Sequence, residues 1–94
     1  MNFSHYLGLV SDEKVQKFIF AQGNRPAAKL SNGEIKLLSE TFLFKEDLES
    51  ILNEVQTLAS SHQGSFYLNG QLFKFENLSL KDSAVVHILS LIHI

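Results

Sequence analysis

Four histidines, a Ser-Ser-His run and several neighbouring carboxylates are the residues of this chain whose chemistry could go beyond packing. His87 and His93 fall on one side of a regular strand, but six residues at about 3.3 Å each set them about 20 Å apart, too far to share an ion. His5 and His62 have no imidazole or carboxylate at ligand spacing, so all four read as surface or edge side chains and no metal is expected. Ser60-Ser61-His62 puts a hydroxyl beside a base only in sequence, because adjacent residues do not supply the orienting geometry of a nucleophile, and there is no Gly-x-Ser-x-Gly elbow. Asp12-Glu13, Glu46-Asp47 and Glu49 are explained by the preference of helix amino termini for negative charge. A Gly-x-x-x-x-Gly-Lys-Ser/Thr loop is absent from the sequence, so no ATP hydrolysis is expected of these residues. The sequence therefore predicts a non-enzymatic protein with no cofactor. The surface it singles out is basic: Arg25, Lys29 and Lys36, a candidate partner surface set against the plainer reading of a solvated sheet face.

Composition bounds what such a surface can serve. Ninety-four residues make one small domain with a single core. An apolar content of 45% with eight Phe is enough to build that core, and a charged fraction of 19% argues against disorder. A net charge of −2 gives no electrostatic reason to expect nucleic acid or an anionic membrane, which require clustered Lys and Arg. With no Cys there is no disulfide framework and no thiolate, which fits a cytoplasmic protein. Met1 to Tyr6 lacks the basic start of a signal peptide, and no uncharged stretch reaches the roughly 18 residues of a membrane span.

The elements that must carry the basic residues centre on Phe18 to Leu38, read as a strand, a turn at Gln22 to Pro26, and a hairpin closed at Asn32-Gly33. Asn-Gly suits a type I′ turn with positive φ at both central residues. A two-residue loop there sets Leu30 opposite Ile35 and Ala28 opposite Leu37 on a core face, with Lys29 opposite Lys36 on a wet one. Before it, residues 3 to 16 predict a short helix on Phe3, Tyr6, Leu7 and Val10, with a second turn capped at Ser11 to Glu13 and carrying Lys14 and Val15. After it, Leu48, Ile51, Leu52, Val55, Leu58 and Ala59 lie at helical spacing, so Lys45 to Ala59 predicts the longest helix. A second hairpin closes at Asn69-Gly70, with Phe66 opposite Phe73, Leu68 opposite Gln71, and Tyr67, Leu72, Lys74 and Glu76 pointing away. A turn at Lys81 to Ser83 leads into Val85 to Ile94, near-continuously apolar as a central strand is. A chain stopping on such a strand predicts either a domain of a longer protein or a last strand held by its neighbours or by a second copy.

Phe18-Ile19-Phe20, Gly23-Asn24-Arg25-Pro26, Lys29-Leu30, Asn32-Gly33, Ile35-Lys36-Leu37 and Glu46-Asp47-Leu48-Glu49-Ser50-Ile51-Leu52 follow one another in a recognisable order. Residues 14 to 59 thereby resemble the PAS-like amino-terminal domain of the secretion-type ATPases that power type IV pili and type II secretion, above all the twitching-motility retraction ATPases. Lys17 and Ile19 stand where that family usually has Asp and His, Arg25 replaces its first Pro, Phe44-Lys45 replaces its Thr-Pro helix start, and one extra residue precedes Gly33. The ATPase domain itself is absent from the sequence. The resemblance implies a domain that sits on a neighbouring ATPase core and binds without chemistry.

The expected fold is thus a single α+β domain, an antiparallel sheet of about five strands with one long and one short helix, PAS-like. The expected role is an interaction or regulatory domain that assembles with an ATPase core or pilus machinery, its partner another protein or further copies of itself in a homo-oligomer. The alternatives are a stand-alone dimerising adaptor or chaperone using an exposed final strand, and a small-molecule sensor with a pocket lined by Phe18, Phe20, Phe66, Phe73 and Phe75.

Overall fold

A computed structural model describes residues 2–60, 64–79 and 83–91. Two helices, α1 (Phe3–Leu9) and α2 (Lys45–Leu58), accompany six strands: β1 (Val15–Ala21), β2 (Ala27–Leu30), β3 (Ile35–Leu37), β4 (Ser65–Leu68), β5 (Gln71–Asn77) and β6 (Val85–Ser90). The strands form one antiparallel sheet in the order β3-β2-β1-β6-β5-β4. The α+β class matches the sequence reading, with six strands in place of five. The first and last strands lie side by side at the centre, which explains the apolar character of both.

Both helices pack on one face of the sheet. That face collects Phe18, Phe20, Ala28, Val86, Ile88, Phe66 and Phe73, all buried against Leu48, Ile51 and Val55 of α2 and Phe3, Tyr6 and Leu7 of α1. Phe3 is the hub. Its ring stands edge-on to Phe18 at 5.0 Å, Phe73 at 5.4 Å, Phe66 at 5.9 Å and Phe20 at 6.3 Å between centroids, the arrangement favoured by the ring quadrupole. A carboxylate from α2 fixes the position of this hub: Glu54 accepts from the Phe3 and Ser4 backbone N–H groups and from the Ser4 hydroxyl, while Asn2 caps the same terminus by accepting from the His5 N–H. A short helix that would be marginal alone is thereby tied down at its first turn.

Three sequence expectations change. First, α1 stops at Leu9, and Lys14 and Val15 belong to the approach to β1 and to β1 itself rather than to a second helical turn. Gly8 is a poor helix former, and β-branched Val15 does better in the sheet, where it packs on the core. Second, the Asn32-Gly33 loop holds three residues, not two. The Ser31 N–H and hydroxyl both donate to the Lys14 carbonyl, so Ser31 does not pair with Glu34. Instead the Leu30 N–H donates to the Glu34 carbonyl, and Gly33 alone takes left-handed φ (93°), the pattern of a turn followed by a glycine bulge. Third, the register consequently moves by one residue: Lys29 pairs with Ile35, Ala28 with Lys36 and Ala27 with Leu37. Ile35 and Leu37 therefore leave the core face, at 55% and 48% exposure, because a one-residue slip sends every side chain to the other side. The Lys29–Lys36 like-charge pair does not form.

The second hairpin keeps its expected form. Asn69 and Gly70 both have positive φ (53° and 77°), Phe66 pairs with Phe73, and Leu68 pairs with Gln71. The long helix also starts where the sequence places it, at Lys45. Phe44, the cap residue, has no side-chain acceptor, but its N–H donates to the Asp47 carboxylate at 2.8 Å, half of a capping box. The turn at Lys81-Asp82 and the end of the last predicted strand at His93 and Ile94 lie outside the described residues.

Candidate interaction surface

The three basic residues singled out from the sequence do not form one patch. Arg25 is half-buried, and its Nε donates to the Ser39 carbonyl at 2.9 Å. Together with the Gly23–Leu43 and Leu43–Asn24 backbone bonds, this contact folds the 38–44 loop back over the Gln22–Pro26 turn. Lys36 extends from the edge strand on the helix side, where its ammonium meets Glu13 at 3.5 Å. Only Lys29 points to the face that carries no helix.

That bare face gathers residues the sequence did not link. Between Val15 and Lys17 the β1–β2 register shifts, an extra residue that lets Val15 and Phe18 both turn inward and sends Lys17 outward. Lys17 then lies opposite Lys29 on β2 and opposite Leu89 on β6, and Leu89 lies opposite Lys74 on β5. A second row runs beside it: Leu37, Ala27, Ile19, His87 and Glu76. Ile19, His87 and Leu89 are half-buried by their neighbours, and Tyr67 on edge strand β4 is 62% exposed. The face is aliphatic at its centre and crossed by three lysines. His87 is held below the ordinary imidazole range by burial first and by the Lys17 charge second, with Glu76 opposing.

The other candidates place differently. Phe18, Phe20, Phe66 and Phe73 are packed ring on ring around Phe3 and fully buried, with Phe75 partly buried against them. A cleft of about 740 Å³ opens at one end of the sheet, between the end of α1 and the hairpin tips, lined among others by Leu7, Lys14, Ser31 and Gln71, and it reaches Phe18 and Phe73 alone of those five rings. Strand β6, expected as an exposed binding edge in the adaptor reading, is paired on both sides by β1 and β5. The edges are β3 and β4. His62 and His93 lie outside the described residues, and among the described ones no three His, Cys, Asp or Glu side chains group as metal ligands. No helix among the described residues is long and apolar enough to cross a membrane. No protein-family model matches this chain, and no curated protein matches it either.

Proposed function

We propose that the chain is a non-enzymatic protein-interaction domain of the kind found at the amino terminus of pilus-retraction and type II secretion ATPases, and that it docks on its partner through the bare face of the sheet. The observation that carries this reading is the asymmetry of the sheet. One face is closed by two helices, while the other presents Ile19, Leu89, Ile35, Leu37 and Tyr67 among lysines, more apolar surface than a solvated sheet face requires. The sequence motifs behind the resemblance, from Phe18-Ile19-Phe20 through the run from Glu46 to Leu52, support it by following one another in the family's order. The absence of Cys makes a direct test simple. Leu89→Cys on the bare face and Gln56→Cys on the exposed side of α2 each accept a photo-crosslinker at a single position. The expected result is an adduct with a secretion-type ATPase or another pilus-assembly protein from Leu89→Cys and none from Gln56→Cys. Equal labelling at both positions, or no protein adduct at Leu89→Cys, overturns the reading.

A further inference from the structure

We propose that the bare face receives an acidic amphipathic segment of its partner, with the segment's carboxylates over Lys29, Lys17 and Lys74 and its apolar side over Ile19 and Leu89. This rests on the interaction-domain reading and adds the chemistry of the partner.

The lysine row is the starting point. Lys29, Lys17, Leu89 and Lys74 occupy one cross-strand line over four adjacent strands. At about 4.8 Å per strand the line is about 15 Å long, the rise of roughly ten helical residues. Lys17 and Lys29 face each other directly, an arrangement that is unfavourable in a sheet unless something screens it. Among the described residues none of the three lysines has a carboxylate within ion-pair distance, whereas Lys36 does. The one acid on the neighbouring row, Glu76, is paired opposite His87 instead. Lys17 and Lys29 lie half-buried, as long side chains do when their aliphatic stems cover apolar neighbours. The face therefore holds a line of three lysines interrupted by Leu89, beside a row that is aliphatic at Leu37, Ala27 and Ile19 and ends at His87 and Glu76, and a segment with carboxylates along one edge and aliphatic side chains along the other complements both.

Two other occupants fit this face less well. A second copy stacked face to face would bring lysine row toward lysine row, a like-charge juxtaposition that complementary interfaces avoid. A single-stranded nucleic acid uses aromatic platforms for its bases, but the centre of this face is Ile19, His87 and Leu89, and Tyr67 lies at its margin on β4.

The test uses the full chain and three probes: a synthetic helical peptide with leucines on one side and glutamates beside them, its counterpart with every glutamate replaced by lysine, and a single-stranded oligonucleotide of mixed sequence. Anisotropy titrations should show the glutamate peptide binding at least tenfold more tightly than the lysine peptide, with the difference shrinking as salt rises. Amide shifts should concentrate on β1 and β6. Lys17→Glu combined with Lys74→Glu, both on the bare face, should reverse the order of the two peptides. Equal affinity for both peptides at this face would overturn the acidic partner while leaving a docking face in place. Tighter binding of the oligonucleotide than of either peptide would overturn it in favour of nucleic acid. Silence from all three probes would overturn it too, and the crosslinking result at Leu89→Cys then decides whether the interaction-domain reading falls with it.

Discussion

The molecule contains two hairpins closed by the same dipeptide, Asn32-Gly33 and Asn69-Gly70, and they close differently. At Asn69-Gly70 both residues take left-handed φ and the loop is two residues long. At Asn32-Gly33 only the glycine does, and Ser31 joins the loop because its N–H and hydroxyl are engaged by the Lys14 carbonyl. The consequence reaches well beyond the turns. In the β4–β5 hairpin the core face holds Phe66 and Phe73, whereas in the β2–β3 hairpin Ile35 and Leu37 are turned to the bare face. An Asn-Gly pair thus specifies a hairpin, but a tertiary contact from a third segment decides its register.

The largest test of that difference is a truncation in each arm. Phe73 is buried against Phe3, Phe18 and Phe66, so Phe73→Ala should cost about 3 to 5 kcal/mol in denaturant unfolding, the range for a buried aromatic that leaves a cavity. Leu37, with 48% of its surface exposed, should tolerate Leu37→Ser within about 0.5 kcal/mol. A loss at Leu37 approaching that at Phe73 would mean that the first hairpin keeps the two-residue register after all, with Leu37 in the core.

How far the sequence shows this structure depends on the range of the interactions involved. Helix α2 is legible because its apolar spacing and first-turn acids are local, and β4–β5 because its turn is a two-residue unit complete in itself. The role of Phe3 is not, since Glu54, which fixes it, comes from the other helix, some fifty residues away in the chain. Nor is the lysine row. Lys17, Lys29 and Lys74 belong to three strands, and they align only after the shift at Val15–Lys17 and the slip at Ser31 have set the registers. The sequence points to Arg25 and Lys36 beside Lys29 because all three are basic and expected to face solvent, but Arg25 and Lys36 have local work elsewhere, on the Ser39 carbonyl and on Glu13.

The smallest effect is the most specific to the turns. Asn69 already occupies the left-handed region at φ 53°, where glycine has no steric cost, so in Asn69→Gly the relief of that conformation offsets the greater freedom glycine gives the unfolded chain. The expected change is within about 0.5 kcal/mol of zero. Asn32 has no left-handed φ to relieve, and its Oδ1 accepts from the Glu34 N–H at 2.9 Å. Asn32→Gly loses that bond and adds unfolded-state freedom together, so it should destabilise by about 1 to 2 kcal/mol. Denaturant midpoints of the two variants, compared at equal m-value, read the contrast directly. Equal midpoints would mean that the two loops share one conformation and that the slip placing Ile35 and Leu37 on the bare face has some origin other than the turn.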